Sequence, residues 1–493
     1  MEKRYLIGVD VGTTGTKALL FSHEGELIAQ AYQAYPILTP QNGYVEQNAQ
    51  DWWEAVVKTV RQVCQGRDIQ NQVAAISLST QGGTVVPVDA SGTPLRTGIV
   101  WNDSRCSQQM QSYIVEQGPA ATMYEKTGWN LMPGLPAMQI RWLRENQPEI
   151  FEKTAKFLTV PDYLSMKMTG IAAVDPSNAG INQLTDIHIP VYDDGLLRFA
   201  GISTEQLPSI LNSGSVIGNL TPEAATALNL STDTLLVAGA HDQYAVALGA
   251  GALRNESVLI GSGTCWVVTA IGDRPNFSSG LSQSIAAVPG LWGSLYSLSS
   301  GGICLDWLRK NVAQSKVGQP LDYNTLNEEI HRRKAAEEGL FFYPFCGIGD
   351  GKNTFTKATF TGLDLYHDRF HMARAIMEGV AFQIVWILEA FSPSQAEVTL
   401  TGGASRSQVW CQILADISGR PIRVPQVADL ACVGAAILAG TGCGIYQSPE
   451  EGYRKLAVCE QIIYPDPVRA KMYADLIKKY KQQAERLYEI YSI

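Results

Sequence analysis

Apolar segments that end in polar or glycine residues recur along the chain. The segments "VAAISLST" (73–80), "TLLVAGAHD" (234–242) and "EVTLTGG" (397–403) each predict a buried strand with such an end. Stretches with helical spacing lie between them, as from Asp51 to Val63. This alternation predicts the α/β class, in which ligands bind at the carboxyl ends of strands.

One hairpin pattern occurs in both halves of the chain. "LIGVDVGTTGTKALLF" (6–21) and "VLIGSGTCWVVTA" (258–270) both run strand, glycine-threonine turn, strand, although the second copy lacks the aspartate and the lysine. Two copies predict two related domains that face each other across a cleft. We place these domains at residues 1–249 and 250–493.

Two further segments predict packing helices. "DLACVGAAILAG" (429–440) is rich in small residues, which indicates close helix packing. From Pro467 to Ile493, apolar residues recur at helical intervals, so a C-terminal packing helix is expected and a partner-binding helix is the alternative. The apolar positions of the second helix are Val468, Met472, Leu476, Tyr480, Leu487 and Tyr491.

Composition narrows the class of protein further. The 493 residues are too many for one core, and the net charge of −9 argues against a nucleic-acid partner or an anionic membrane surface. No signal-peptide pattern precedes Asp10. The nine cysteines contain no C-x-x-C pair, so we expect reduced thiols and a cytoplasmic location.

The first glycine-threonine turn has the composition of an anion-binding loop. Gly12 allows successive backbone N–H groups to point into one concavity, while Thr13 and Thr14 add hydroxyl donors and Lys17 adds a charge. Asp10 would repel a phosphate, but it can act through Mg²⁺, which binds carboxylates together with phosphate oxygens. A plain β-hairpin turn is the structural alternative.

The second turn, with Gly263 and Thr264, would cradle the other end of a polyphosphate. No G-x-x-x-x-G-K-[ST] motif is present, so the pattern is not that of a P-loop. The two turns together favour a metal–nucleotide complex as the ligand.

Longer motifs give the chain a family resemblance. It resembles the FGGY carbohydrate kinases from Tyr5 to about Tyr446, most specifically in "ATFTGLDLYHDRFHMARAIME" (358–378) and also in "GYVEQNAQDWW" (43–53) and "WNDSR" (101–105). Gln139 departs from the lysine that is usual in the family. The resemblance implies two ribonuclease-H-like (actin-like ATPase) domains around a central cleft, with ATP and Mg²⁺ as cofactors.

The resemblance also assigns a catalytic residue. Asp242, in "GAHDQYAVALGAG", lies where the family carries the carboxylate that accepts the proton of the alcohol, although a helix N-cap is the structural alternative. Gln243 replaces the asparagine of xylulokinase-like members, and His241 is similar to the fuculokinase and rhamnulokinase branches. Asp10 and Asp242 are the expected metal ligands.

Substrate and nucleotide residues follow from the same resemblance. The segment "STQGGT" (79–84) and Trp101 are expected beside the sugar, although core packing is the alternative for Trp101. The expected substrate residues are Gln81, Gly82, Trp101, Asp103, Asp242 and Gln243. The expected nucleotide residues are Gly12, Thr13, Thr14, Lys17, Gly263, Thr264, Gly302, Gly402, Gly403 and Ser407.

The resulting hypothesis is an ATP-dependent kinase that phosphorylates a hydroxyl of a ketose or related polyol. A pentulose such as xylulose is the first candidate substrate, and a 6-deoxyketohexose of the fuculose or rhamnulose type is the second. A non-metabolic actin-like ATPase and a sugar sensor are the alternatives from other classes. The expected partner is a small sugar, without nucleic acid or membrane, and a homodimer is left open.

Overall fold

Two large β-sheets organise the chain. The computed structural model describes residues 4–277, 281–316, 318–344, 357–391, 397–426, 429–456 and 460–491. A six-stranded sheet is built from residues 5–241, and a seven-stranded sheet is built from residues 257–463. Helices pack against both sheets, so the predicted α/β class is confirmed.

The first sheet brings three parallel strand ends together. Its spatial order is β5-β6-β4-β1-β2-β3, with β4 parallel to both β1 and β6. Asp10 lies opposite Ser79, and His241 lies opposite Thr80, so the carboxyl ends of these strands share one edge. The strands are β1 Tyr5–Val11, β2 Gly15–Ser22, β3 Leu27–Ala34, β4 Val73–Thr80, β5 Val216–Asn219 and β6 Leu235–His241.

The second sheet has a similar centre. Its order is β9-β10-β8-β7-β11-β12-β13, and the parallel pair β7 and β11 places Ser262 opposite Gly402. The strands are β7 Ser257–Ser262, β8 Trp266–Gly272, β9 Ser282–Ile285, β10 Trp292–Leu298, β11 Glu397–Gly402, β12 Ile422–Pro425 and β13 Glu460–Ile463.

The predicted hairpin repeat is confirmed by strand register. β1 and β2 pair antiparallel up to Val11 and Thr16, and β7 and β8 pair in the same way up to Ser262 and Trp266. Each hairpin therefore closes on its glycine-threonine turn at the carboxyl end of its first strand.

Helices and short strands complete the two halves. The helices of the first half are Ala49–Cys64, Ser107–Gln117, Ala120–Thr127, Pro136–Asn146, Pro148–Lys153, Val160–Thr169, Pro176–Ile181, Asp194–Ala200, Pro222–Leu228 and Asp242–Gly249. Those of the second half are Gly302–Asn311, Tyr323–His331, Arg369–Phe391, Gln408–Ser418, Leu430–Gly442, Pro449–Leu456 and Pro467–Tyr491. The short strands are Glu46–Gln47, Val86–Val88, Gly98–Ile99, Lys156–Leu158, Ala173–Val174, Ser209–Ile210, Gln314–Lys316, Gln319–Pro320, Phe341–Tyr343 and Thr359–Thr361.

The small-residue helix Leu430–Gly442 packs against the first half of the chain. A Cβ atom at Gly434 would lie 2.0 Å from the carbonyl oxygen of Ala245, and one at Gly8 would lie 1.9 Å from the carbonyl oxygen of Cys432. Side chains larger than hydrogen do not fit at these contacts. The close packing predicted for 429–440 is confirmed, and it joins the two halves.

The C-terminal helix Pro467–Tyr491 packs against the second half as predicted. Leu476, Tyr480 and Leu487 are buried in its core, whereas Val468 is exposed at the start of the helix. Within the part of the chain that the structure describes, one helical segment, Arg369–Glu389, is long and apolar enough to cross a membrane by length and composition, yet 72% of its apolar window is buried inside the protein. Core packing accounts for its apolar character.

Candidate active site

Two carboxylates lie near the shared strand edge of the first sheet. Asp10 is almost at the end of β1, where the Ser79 hydroxyl donates to its Oδ1 at 2.7 Å. Asp242 follows β6 as the first residue of the Asp242–Gly249 helix, for which His241 is the N-cap residue. The Asp242 side chain is 31% exposed, so it is available to a ligand.

The environment of Asp10 opposes its ionisation. Burial raises the pKa of Asp10 to about 7, and the nearby charges of Asp429 and Asp242 act in the same direction, whereas Ser79 and Lys17 act against them. A divalent cation would relieve this repulsion, so the carboxylates fit Mg²⁺. Within the described ranges no three His, Cys, Asp or Glu side chains form a complete cage. Mg²⁺ commonly takes one or two carboxylates and completes its shell with water and phosphate oxygens.

Lys17 is held across the boundary between the two halves. Its ammonium lies 2.5 Å from Oδ2 of Asp429, the N-cap residue of the Leu430–Gly442 helix. Although burial lowers the pKa of Lys17, the hydrogen bond and charge of Asp429 raise it overall. The lysine predicted to reach a phosphate is therefore engaged by a carboxylate in this structure.

A cavity of about 500 Å³ opens beside Asp10 and Lys17, between the two halves of the chain. Its lining comprises Asp10, Lys17, Val246, Thr401, Gly402, Ser405, Arg406, Val424, Pro425, Gln426, Asp429, Leu430 and Ala431. It combines the first-half carboxylate and lysine with a second-half glycine that the sequence assigned to the nucleotide.

The first glycine-threonine turn closes tightly and points one hydroxyl inward. The Gly12 N–H donates to the carbonyl oxygen of Gly15 at 3.0 Å. The Thr13 hydroxyl donates to Gln81 Oε1 at 3.2 Å and accepts from Trp101 Nε1 at 3.3 Å, whereas Thr14 is exposed. The Thr13 hydroxyl therefore joins the turn to Gln81 and Trp101, and Thr14 is the exposed residue of the pair.

The second turn packs against another glycine pair. The Gly302 N–H donates to the carbonyl oxygen of Gly263 at 3.1 Å, and a Cβ atom at Gly302 would lie 2.5 Å from that oxygen. The N–H groups of Gly301 and Ile303 both donate to the Thr264 carbonyl oxygen at 3.2 Å. Only glycine at 302 permits this approach, which holds the turn at the start of the Gly302–Asn311 helix.

Gly402 and Gly403 lie against the end of β7. Gly402 has φ +88°, and a Cβ atom there would lie 2.4 Å from the carbonyl oxygen of Ser262. The Gly403 N–H donates to the same oxygen at 2.6 Å. The glycine pair therefore lies next to the second turn, at the end of β7.

Ser407 is both a helix cap and a side-chain partner. It is the N-cap of the Gln408–Ser418 helix, where it accepts the Trp410 N–H at 3.2 Å. Its hydroxyl donates to Asn327 Oδ1 at 2.8 Å. No motif in the sequence points to Asn327, which brings a carboxamide beside Ser407 from the Tyr323–His331 helix.

Glycine at position 82 lets the His241 side chain approach the backbone closely. A Cβ atom at Gly82 would lie 2.6 Å from Cδ2 of His241. His241 Nε2 lies 3.4 Å from Asp242 Oδ1, and its backbone N–H donates to Ser177 Oγ at 2.8 Å. Trp101 is 42% exposed, and its Cβ atom would lie 3.1 Å from a Cβ atom at Gly83.

Two predicted substrate residues are engaged by the protein instead. Gln81 is buried, and its Nε2 donates to Gln47 Oε1 at 2.8 Å. Asp103 is buried and binds the Arg105 guanidinium, with 2.7 Å between Oδ2 and Nη2. Both side chains therefore hold neighbouring segments of the first half together, whereas Gln243 is half-buried beside Asp242.

Gln139, which departs from the family pattern, has a clear structural role. Its Nε2 donates to the carbonyl oxygens of Gly83, Val100 and Gly134 at 3.2, 3.3 and 2.7 Å. These three segments surround Trp101. The amide therefore fixes the loops that present Trp101, a role that depends on contacts distant in sequence.

The sequence matches two domains of a known protein family. The N-terminal domain of the FGGY family of carbohydrate kinases matches residues 5–249, and the C-terminal domain of that family matches residues 257–443. The chain belongs to the FGGY family of carbohydrate kinases. It is therefore a sugar phosphotransferase with the two-domain actin-like ATPase fold, and the family implies use of ATP.

Individual relatives of this FGGY kinase cover most of the chain. It is 28% identical to the gluconokinase of Bacillus subtilis (strain 168) over 446 residues, covering 88% of this chain and 86% of the relative. It is 29% identical to the xylulose kinase of Escherichia coli (strain K12) over 494 residues, covering 98% and 99%. The crystal structure of xylulose kinase from Rhodospirillum rubrum superposes with a TM-score of 0.91 at 26% identity, covering 99% and 100%.

Proposed function

We propose that this FGGY kinase transfers the γ-phosphate of ATP to a hydroxyl of a ketopentose such as xylulose. The observation that carries this proposal is the position of Asp242. Its half-exposed carboxylate follows β6 beside His241, which packs on Gly82, while its charge acts on the pKa of Asp10. Asp242 thus lies near Asp10, which lines the cavity, and beside His241, which contacts Gly82. A carboxylate in this position can serve an alcohol acceptor, and we call Gly82, Trp101, Asp103 and Arg105 the sugar-side wall.

The role of Asp242 is to accept the proton of the attacking hydroxyl. Phosphoryl transfer needs the acceptor oxygen oriented in line, and a carboxylate within hydrogen-bonding reach provides both orientation and a proton acceptor. His241 lies 3.4 Å from Oδ1 of Asp242, which restrains that oxygen. Oδ2 would then be the oxygen that accepts the proton of the substrate hydroxyl.

Asp10 and Asp242 are the side chains that would hold Mg²⁺. Bound there, the ion would offset the mutual repulsion of the carboxylates and shield the phosphate charge. Ser79 orients Asp10 by its 2.7 Å hydrogen bond. The Asp10 side chain, a lining residue of the cavity, is thus held in place by the protein itself.

The nucleotide would lie mainly on the second half of the chain. Backbone and hydroxyl groups of Thr14 on one side, and of Thr264 on the other, would bind the phosphates. Gly12 and Gly263, whose N–H groups donate to Gly15 and Cys265, would leave room for the phosphates to approach. Gly302, Gly402, Gly403 and Ser407 would line the base and ribose, with the Asn327 carboxamide as an added polar group. Glycines allow the close approach that the flat base requires.

The charges on the sugar-side wall favour a neutral substrate. Arg105, a cation of this wall, is bound by Asp103 and by Glu46, whose Oε1 lies 2.8 Å from its Nη2. This guanidinium is therefore already paired and would not bind a substrate carboxylate. Gluconate is the second candidate because of the gluconokinase relatives, and a 6-deoxyketohexose is the third.

A coupled assay of ADP release with Mg-ATP tests the proposal. The panel should contain D- and L-xylulose, L-fuculose, L-rhamnulose, D-gluconate and glycerol. We expect the highest kcat/KM with a ketopentose. ATP hydrolysis that no member stimulates would favour the non-metabolic ATPase, and sugar binding without turnover would favour the sensor.

The remaining expectations concern the cellular location, the partners and the oligomeric state of the enzyme. We propose a cytoplasmic enzyme with a small-molecule substrate and neither nucleic-acid nor membrane partners. The net charge of −9 supports the exclusion of polyanionic partners. Gel filtration with light scattering would decide whether it is a homodimer.

A further inference from the structure

Four charged side chains line the cavity between the two halves. Asp10 and Asp429 are acidic, and Lys17 and Arg406 are basic. Oδ1 of Asp429 accepts the Cys432 N–H at 3.1 Å, and its Oδ2 lies 2.5 Å from the Lys17 ammonium. The helix cap thus fixes the carboxylate, and the carboxylate neutralises the lysine.

Of the two lining cations, Arg406 has no counter-charge among the residues that the structure describes. It ends the short 3₁₀ helix Ala404–Arg406 directly after the Gly402–Gly403 pair, and its backbone N–H donates to the Gly403 carbonyl oxygen at 3.3 Å. Its side chain is exposed. Across the described parts of the chain, the Arg406 guanidinium makes no ion pair or side-chain hydrogen bond.

The charges of the cavity lining show why the Arg406 guanidinium matters for binding a polyphosphate. Without Arg406, the Lys17–Asp429 pair cancels and Asp10 leaves the cavity with no net positive charge. A nucleotide tail that carries one Mg²⁺ remains negative, so it would gain nothing from such a lining. Among the lining residues that the structure describes, Arg406 is the one whose positive charge is free to attract it, and a guanidinium binds phosphate through two parallel hydrogen bonds.

We propose that Arg406 binds the phosphate tail of the nucleotide, and that Lys17 is instead a positioning residue that joins the two halves through Asp429. This inference rests on the proposed use of ATP in the same cavity. It reassigns the cationic contact from the first turn to the segment after the Gly402–Gly403 pair. The phosphate contacts proposed for the turns that carry Thr14 and Gly263 are unchanged.

Calorimetric titration with ADP and with adenosine tests the assignment. Arg406→Gln should weaken ADP binding by about 10- to 100-fold, as expected for loss of a charge-assisted hydrogen bond, and leave adenosine binding unchanged. Arg406→Lys should retain part of the affinity because it keeps the charge. Arg254→Gln is the matched control, since Arg254 is exposed in the same half and pairs with Glu397; its ADP affinity should equal that of the wild type.

Three results would distinguish failure of the Arg406 assignment from failure of the proposed function. Unchanged ADP affinity in Arg406→Gln, with a loss in Lys17→Gln, would overturn the inference and leave the proposed function intact. Equal losses for adenosine and ADP would also overturn it, since Arg406 would then act on the base or on folding. Failure of the wild-type protein to bind ADP would instead contradict the proposed function itself.

Discussion

Replacement of Asp10 by asparagine should stabilise the ligand-free protein in a pH-dependent way. The pKa of Asp10 is about 7 in the folded protein, against an ordinary value of 3.8. Between these values the folded state retains a proton that the unfolded chain has lost. The free energy of unfolding therefore falls as the pH rises from about 4 to about 7, and the loss is complete above pH 7.

The size of the effect follows from the difference in pKa. About three pKa units correspond to about 4 kcal/mol above pH 7, as an upper bound, because each unit is worth about 1.4 kcal/mol. At pH 5 only about 1.5 kcal/mol of this cost is present. Asp10→Asn removes the charge, so its stability advantage over the wild type should be larger at pH 8.5 than at pH 5 by up to about 3 kcal/mol.

Urea unfolding followed by tryptophan fluorescence, in EDTA and without nucleotide, measures this difference. Asp233→Asn is the control, since Asp233 is an exposed aspartate of the same half. It should show no comparable pH-dependent gain. An Asp10→Asn advantage that is equal at both pH values would refute the reasoning, because the carboxylate would then carry no electrostatic strain.

Three further substitutions test separate parts of the site. Gly263→Val should weaken ADP binding with little loss of folding, because the nearest protein atom to a Cβ there, outside the flanking residues, is a carbonyl oxygen at 3.3 Å; calorimetry that shows unchanged affinity would remove this turn from the phosphate site. Gly434→Ala should lower stability by roughly 2 kcal/mol or more, since its Cβ would lie 2.0 Å from Ala245 O, and an unchanged thermal midpoint would contradict the tight packing. Trp101→Ala should raise the KM for sugar without changing ADP affinity, and an unaltered KM would place the apolar wall elsewhere.

The backbone frame of the site could be predicted from sequence because its signals are local. An apolar run followed by a glycine-threonine turn appears at residues 6–21 and again at 258–270, and both segments form hairpins. The helix expected from Asp51 to Val63 spans Ala49–Cys64, since the Asn48 cap lies just before the predicted start. Strand ends and turns are encoded by residues a few positions apart.

Side-chain partners could not be predicted because they depend on distant segments. Lys17 meets Asp429 across 412 positions, and Ser407 meets Asn327 across 80. The Thr13 hydroxyl likewise turns to Gln81 rather than outward. The residue types predicted a polar site, but the pairing of its charges depends on how the Leu430–Gly442 helix, with its N-cap residue Asp429, packs against the first half.

The most direct measurement is the turnover of Asp242→Asn with the sugar that the coupled assay identifies. If the Asp242 carboxylate accepts the proton of the attacking hydroxyl, kcat should fall by roughly 10²- to 10⁴-fold while ADP affinity stays close to that of the wild type. Near-normal turnover in a folded, nucleotide-binding Asp242→Asn protein would contradict the assignment.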